Sequence, residues 1–188
     1  VHFHQPNTDS IIVNHITDQH PSQISGLIQA NGTVVLTNSN GLLFAPSAQV
    51  NVNNLVATHL SAQIAKDKQS LILNAHDASP AKVVNQGLIQ ASKGGSINLI
   101  GHSVDNQGVI IADYGQVNLA SGRQVVLDFD GDRLIQFEVQ QPQLQQVFEQ
   151  PVISNSGHIS AQGGKVVLQA ELAKQVIDSA IRSNRAEK

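Results

Sequence analysis

Cysteine and tryptophan are absent from this chain, and its 188 residues include only one tyrosine and five phenylalanines. Without cysteine there is no disulfide framework and no thiolate ligand for a metal. The apolar residues, 40% of the chain, are therefore mostly Val, Ile, Leu and Ala. This composition favours thin layers of β-branched and small side chains over a core filled by aromatic rings.

Charge is also scarce, because Asp, Glu, Lys and Arg together make up 13% of the residues and the formal net charge is −3. That balance gives no reason to expect a nucleic acid as partner. No apolar run approaches the ~18 residues of a membrane span, so no membrane insertion is predicted. The chain opens with VHFHQP, which is neither a signal peptide nor an initiator-methionine start. We expect a fragment or a mature form.

Internal repeats are the strongest feature that is present. The pentapeptide GLIQA occurs at Gly26–Ala30 and again at Gly87–Ala91. Three later blocks align on their glycines and share the pattern apolar-x-Asn-x-Gly-x-Ile-x-Ala, a turn, then apolar-x-Leu: Val83–Gly101, Val104–Gly122 and Ile153–Ala170. Gly87 and Gly108 lie 21 positions apart, which we take as the period.

The alternation inside each block predicts short strands with one buried face. One such unit cannot bury its own apolar face, so copies must stack. The pattern places these side chains inward: Ile89, Ile110, Ile159, Ala91, Ala112, Ala161, Leu99, Leu119 and Leu168. It places Leu88, Val109 and His158 outward, and it stacks Asn85, Asn106 and Asn155 as a ladder of amides. The predicted fold is all-β: one domain over residues 1–188, a right-handed single-stranded parallel β-helix of roughly eight coils.

Two segments interrupt the pattern. Residues 128–151 carry an Asp-Gly turn and the alternating run LIQFEV, which predict a β-hairpin outside the helix wall. Residues 170–185 place Leu172, Val176 and Ile181 among others on one helical stripe, which predicts a short C-terminal helix.

Nothing in the sequence argues for catalysis, a metal or a cofactor. The eight histidines form no H-x-x-x-H pair. DFDGDR contains three carboxylates, but position twelve of a calcium loop would be Val139, so a hairpin tip is the better interpretation. Glycine-rich nucleotide motifs are missing. Two alternatives stay open: a polysaccharide-cleaving enzyme whose acids converge from adjacent coils, and an adhesin module that binds a host ligand directly.

Three stretches resemble one family: VHFHQPNTDSIIVNHIT, PSQISGLIQANGTVVLTNSNGLLFAPSAQVNVNNLVATHL, and the later N-x-G-x-I-x-A coils with DFDGD between them. The chain resembles the two-partner secretion (TPS), or haemagglutination-activity, domain of filamentous-haemagglutinin-like exoproteins. It looks closer to the high-molecular-weight adhesin branch. Together the three stretches cover nearly the whole chain.

This resemblance implies a right-handed β-helix without enzymatic activity, expected as a monomer at the N-terminal end of a longer exoprotein. Such a domain passes through the periplasm, where the periplasmic POTRA-type domains of an outer-membrane pore partner recognise it. It then initiates export and nucleates β-helix folding, so the product is secreted or displayed on the bacterial cell surface. Contact with host cells is left to downstream regions.

The resemblance also implies a set of partner-binding residues. The family's N-P-N-G turn maps onto Asn38, Ser39, Asn40 and Gly41, and a second Asn-rich turn maps onto the segment with Asn51, Asn53 and Asn54. Ser39 departs from the family's proline, and a type I turn accepts serine there. Asn and Gly are also the residues that tight turns select for backbone reasons, so a purely structural role stays open.

Overall fold

The structure is a computed structural model that describes residues 1–66, 70–75, 80–128, 136–141, 152–170 and 181–183. Every regular element in these ranges is a β-strand. The strands are β1 (His2–Phe3), β2 (Ile11–His15), β3 (Ser22–Ile24), β4 (Leu27–Ala30), β5 (Thr33–Thr37), β6 (Leu42–Phe44), β7 (Gln49–Thr58), β8 (Ser61–Ile64), β9 (Ser70–Asn74), β10 (Lys82–Asn85), β11 (Leu88–Gly101), β12 (Ser103–Asn106), β13 (Val109–Ile111), β14 (Gln116–Ser121), β15 (Gln124–Asp128), β16 (Gln136–Gln141), β17 (Ile153–Asn155), β18 (His158–Ser160), β19 (Lys165–Ala170) and β20 (Ile181–Ser183).

Three parallel faces wind around one axis, so the fold is a parallel β-helix as predicted. Face 1 is the order β1-β4-β7-β11-β13-β18, face 2 is β2-β5-β7-β11-β14-β19, and face 3 is β3-β6-β10-β12-β17-β20. The long strands β7 and β11 run from face 1 into face 2. Six coils are therefore described. They are numbered 1 to 6 from the N-terminus, so that each coil contains the strand at the same place in the three orders just given.

The number of coils differs from the expected eight. Leu27 and Leu88, the second residues of the two GLIQA copies, both align with Gln49. One coil thus separates the copies, instead of the two that a regular 21-residue step requires. Likewise Val109 pairs directly with His158. The extra residues leave the coil as excursions, and six stacked strands span about 24 Å along the axis.

The interior of the β-helix is the main core, and the repeat predicted its members correctly. Ile89 and Ile110 are fully buried and Ile159 is 9% exposed. Ala91, Ala112, Leu99 and Leu119 lie in the same cluster, while Ala161 and Leu168 of the last coil pack against it half-buried: they have no coil above them among the described residues. The predicted outward positions are half-exposed or exposed, as expected.

The asparagine ladder inside the corner between faces 3 and 1 is also confirmed. Asn85 Nδ2 donates to Asn106 Oδ1 at 2.8 Å, and Asn106 Nδ2 donates to Asn155 Oδ1 at 2.7 Å. All three side chains are buried. Asn85 Oδ1 also accepts from the Gly87 backbone N–H at 3.1 Å, which fixes the entry into the next strand.

Asn106→Ala is expected to remove about 2–4 kcal/mol from the free energy of unfolding. The change deletes two amide bonds and leaves buried polar atoms of Asn85 and Asn155 without that partner. Urea unfolding followed by circular dichroism measures the loss. The matched change Gln107→Ala alters an exposed amide one position along and should cost less than about 1 kcal/mol. Equal losses in the two variants would contradict a ladder held by Asn106.

A separate antiparallel sheet, β8-β9-β15-β16, lies outside the β-helix. The predicted hairpin is present as β15 paired with β16, although it begins at Gln124 and residues 129–135 and 142–151 lie outside the described ranges. The hairpin β8–β9 was not predicted. The hairpin β8–β9 departs from coil 3, and the hairpin β15–β16 departs from coil 5. The two hairpins join because β9 pairs with β15.

A second core fills the space between face 2 and this sheet. Val35, Val56 and Ile100 point outward from face 2 yet are fully buried, together with Leu71 and Leu127 from the sheet. Apolar residues at consecutive positions of a strand, as in VVL of β5, indicate burial on both sides. The sequence of β5 therefore contained a signal for this second core.

The predicted helix over residues 170–185 is wrong at its described positions. Ala170 ends β19, and Ile181–Ser183 forms β20 in parallel register with Ile153–Asn155. The physical reason is that the backbone of residues 181–183 pairs with the strand Ile153–Asn155 and so extends face 3 by one strand. Residues 171–180 lie outside the described ranges.

Candidate functional site

The turn Asn38–Gly41 connects face 2 to face 3 in coil 2. Asn38 Oδ1 accepts from the Asn40 N–H at 2.8 Å, and the Gly41 N–H donates to the Asn38 carbonyl at 2.9 Å. Gly41 has φ 106°, a left-handed conformation that favours glycine. A Cβ there would also stand 2.6 Å from the Lys82 carbonyl oxygen of the next coil. Gly41 is therefore required by the backbone itself.

Asparagine side chains tie this turn to the preceding coil. Asn38 Nδ2 donates to the His20 carbonyl at 3.0 Å and to Ser22 Oγ at 2.7 Å. Asn40 Nδ2 donates to the Asp18 carbonyl at 2.8 Å. Asn38 is only 1% exposed. It acts as an internal brace between coils 1 and 2, so the exposed part of the turn is Ser39 with the half-buried Asn40 beside it.

The second predicted group lies at the corner between faces 1 and 2. Asn53 Nδ2 donates to the Thr8 carbonyl at 3.1 Å. Asn54 Nδ2 donates to Thr33 Oγ1, and its Oδ1 accepts from the Ser96 N–H at 2.9 Å, so Asn54 bridges three coils. Of the three asparagines in this group, Asn51 alone has a side chain that forms no hydrogen bond with the described residues.

The structure does not bring the two groups together. Asn54 is in register with Thr33, the first residue of β5, whereas Asn38 follows the last residue of that strand. The two turns are therefore separated by the length of β5, about 16 Å. A single small ligand could not contact both, although one folded protein partner could.

A groove of about 460 Å³ runs along the outside of face 1 next to this corner. Its wall includes His2, Gln29, Asn51 and Gln90. The register places these four residues side by side on successive coils, one from each of coils 1 to 4. Alternation along the two GLIQA copies indicates that Gln29 and Gln90 face outward, but no signal in the sequence indicated the row that they form with Asn51 and His2.

Two histidines occupy equivalent corners of coils 3 and 4, where face 2 ends. His59 is 7% exposed, and its Nδ1 has no partner among the described residues. Burial, reinforced by the neighbouring His102, lowers the pKa of His59 from 6.5 to about 4 despite a hydrogen bond to the Ile100 backbone. Burial and then the charge of Lys82 lower the pKa of His102. No sequence pattern indicated this pair, because the two residues are 43 positions apart.

No group of three or more His, Asp or Glu side chains able to hold a metal occurs in the described part of the chain. Asp128 ends β15, and Asp130 and Asp132 of DFDGDR lie outside the described residues. Across those residues there is likewise no helix with the length and apolar character to cross a membrane.

Comparison with known proteins agrees with the fold. A model of the TPS secretion domain matches residues 1–188. The chain is 30% identical to the heme/hemopexin-binding protein of Haemophilus influenzae over 192 aligned positions, covering 94% of this chain and 19% of that protein. Another heme/hemopexin-binding protein of Haemophilus influenzae is 31% identical over 88 positions, covering 47% of this chain and 10% of that protein. The chain thus spans a fifth or less of these relatives.

Among solved structures, the crystal structure of the HMW1 secretion domain from Haemophilus influenzae matches with a TM-score of 0.72 and 30% identity. The match covers 90% of this chain and 44% of that one. This neighbour confirms both the β-helix and the resemblance to the high-molecular-weight adhesin branch. TPS domains are a family of secretion domains and not a family of enzymes. With a β-helix of the same build and a family match from the first residue to the last, this chain belongs to the TPS secretion domain family.

Proposed function

We propose that this chain is the secretion domain of a longer exoprotein and that an outer-membrane transporter recognises it in the periplasm through POTRA-type domains. The observation that carries the proposal is the family match over residues 1–188. The product is then released or held at the bacterial surface. No described cluster of carboxylates supports the enzyme alternative, so it is not proposed.

The exposed tip of the turn at Asn38–Gly41 is the contact that we propose for the transporter. Asn38 braces the tip from below through its bonds to His20 and Ser22, and Asn40 is held by the Asp18 carbonyl. A partner therefore meets a preorganised turn, which reduces the ordering cost of binding. Asn51, Asn53 and Asn54 form a second contact in this proposal, at the other end of face 2.

A lysine at position 39 tests the turn. Ser39 is exposed and lies in a turn that accepts most residues, so Ser39→Lys should leave folding unchanged while placing bulk and charge at the contact. Ser156→Lys is the matched control, an exposed serine at a corner three coils away. The chain is co-expressed with its transporter, and release into the medium and capture by the transporter's periplasmic domains are measured. We expect Ser39→Lys to weaken capture about tenfold, a loss typical of a central contact.

The possible outcomes distinguish an error in the proposed contact from an error in the proposed function. If the transporter captures the wild type and the Ser39→Lys variant equally well, the contact lies elsewhere. A well-folded wild-type chain that no transporter captures would contradict the function itself. Asn38→Ala does not serve in this test, because loss of a buried brace lowers stability and secretion together.

The open end of the stack supports the second half of the proposal, nucleation of folding. β18, β19 and β20 each pair on one side only among the described residues. Unpaired backbone groups at such an edge are a template for the next strand. Coils that follow can add one at a time by nearest-neighbour stacking, which makes translocation hard to reverse. Complete folding of the exoprotein in the periplasm before export would count against this step.

A further inference from the structure

The corner between faces 1 and 2 contains one residue that the fold does not require. The turns of coils 4, 5 and 6 stack here, and each has a left-handed residue directly before its corner glycine: Gly94 with φ 79°, Tyr114 with φ 56° and Gly163 with φ 67°. Glycine adopts this backbone freely, whereas a tyrosine strains it. Tyr114 is the one residue other than glycine with a positive φ in the described ranges. A strained residue at a position where glycine suffices points to function.

The side chain of Tyr114 is exposed and yet held in one orientation. The residue is 60% exposed. From coil 6, Gly163 lies so close to the ring that a Cβ there would stand 2.9 Å from Cδ1 of Tyr114. From coil 4, the Lys93 ammonium lies 4.4 Å from the ring centroid, a cation–π contact. A tyrosine held in this way loses little freedom on binding, and such residues anchor protein interfaces.

The groups left available at this corner define the chemistry of a partner. Lys93 covers the face of the ring, so the ring edge and the hydroxyl remain accessible. Neither the Tyr114 hydroxyl nor the Lys93 ammonium has a hydrogen bond or an ion pair with the described part of the chain. Both groups donate hydrogen bonds, and one of them is positively charged. A carboxylate can accept from the two together, as a charge-assisted pair.

The position of the corner indicates which partner supplies that carboxylate. The turn of coil 4 packs with Gly95 on the carbonyl of Asn53, so Tyr114 lies two coils from Asn53, about 10 Å along the axis. Asn53 belongs to the second contact proposed for the transporter. A protein interface of standard size covers about 800 Å² on each partner, which is wide enough to include both positions.

We propose that Tyr114, held by Lys93, is the anchor of this second contact and that the two side chains bind a carboxylate of the transporter's periplasmic domains. This inference rests on the function proposed above. It is independent of the contact at Ser39, which lies at the other end of face 2.

Tyr114→Gly tests the anchor in a variant that keeps the fold. Glycine removes the ring and the backbone strain together, so the midpoint of urea unfolding should stay at or above the wild-type value. Capture by the transporter's periplasmic domains should nevertheless weaken at least about tenfold, the loss expected for a central tyrosine. Tyr114→Asn is the second variant and should show the same separation, because asparagine also tolerates a left-handed backbone.

The charge of Lys93 is tested by the salt dependence of capture. Lys93→Gln keeps a long polar side chain and should weaken capture at about 0.05 M salt, with a smaller difference from the wild type at about 0.5 M, where charges are screened. Lys66→Gln is the matched control, an exposed lysine just beyond β8, and should leave capture unchanged. Asp113→Asn should not weaken capture, because a carboxylate next to Tyr114 repels the partner's carboxylate.

The results separate this inference from the function on which it rests. If the transporter captures the wild type and Tyr114→Gly equally well, the anchor is wrong and the proposed function stands. A lower urea midpoint for both position-114 variants would also overturn the inference, since the tyrosine would then serve the fold. Equal salt dependence of the wild type and Lys93→Gln would exclude the carboxylate. A folded wild type that the transporter does not capture would overturn the proposed function, and the inference with it.

Discussion

Replacing Gly108 with alanine is expected to lower the free energy of unfolding by about 3 kcal/mol or more, because the added methyl group has no room in the stack. Gly108 stands at the corner between faces 3 and 1, stacked between Gly87 and Gly157. A Cβ at position 108 would lie 2.2 Å from the Gly87 carbonyl oxygen, and one at Gly157 would lie 2.1 Å from that of Gly108. The corners therefore stack backbone on backbone, and no flexible side chain can move aside.

The two copies of GLIQA provide the control. A Cβ at Gly87 would meet the Ala48 carbonyl oxygen at 2.6 Å, whereas at Gly26 no heavy atom of the described chain lies within 4 Å. Gly26→Ala should change stability by less than about 0.5 kcal/mol, and Gly87→Ala should be strongly destabilising. Urea unfolding of the three variants gives the order of their free energies of unfolding. A harmless Gly108→Ala would show that the corner glycines are not close-packed.

The second large effect is a loss of stability in mild acid caused by His59. The unfolded chain protonates this histidine near 6.5, whereas the folded chain resists protonation until its pKa of about 4. Between these values the unfolded state binds more protons, so stability is complete above pH 6.5 and falls as the pH decreases toward 4. From pH 7.5 to pH 5 the loss from His59 is about 2 kcal/mol. His102, whose pKa is also lowered, adds a loss of the same sign.

His59→Gln should flatten this dependence. Glutamine keeps a hydrogen-bond donor for the Ile100 backbone and stays neutral at every pH. Unfolding free energies at pH 7.5 and pH 5 should therefore differ less in this variant than in the wild type, by about 2 kcal/mol. His158→Gln, at an exposed position, should retain the wild-type difference. If both variants respond to pH like the wild type, acid sensitivity arises elsewhere.

The turn proposed as a partner contact could be located from the sequence, but the structural roles of its residues could not. The resemblance pointed to the turn at Asn38–Gly41, and the structure shows a turn there. Only the packed structure separates the buried brace Asn38 from the exposed Ser39, because the brace depends on contacts with His20 and Ser22 of the preceding coil. The same residue types form a turn whether their side chains face the interior or the solvent, so residue type alone does not reveal which side chain is buried.

Alternation along the chain was enough to establish the phase of the repeat. Whether Ile89 or Leu88 faces inward follows from alternation over a few neighbouring residues, and the same phase stacked Asn85, Asn106 and Asn155 into a ladder. Those assignments are local, so they needed no knowledge of how distant coils meet.

Tertiary structure alone decided which coils are neighbours. Spacing cannot distinguish an extra coil from an excursion, because parallel pairing joins strands across connections of any length. The structure resolves this by pairing β9 with β15, which gathers two excursions into one sheet over the outward apolar residues of face 2. In the same way, Ile181 fits a helical stripe in sequence but lies in a strand paired in register with Ile153, since stacking in the β-helix satisfies the backbone groups of that segment.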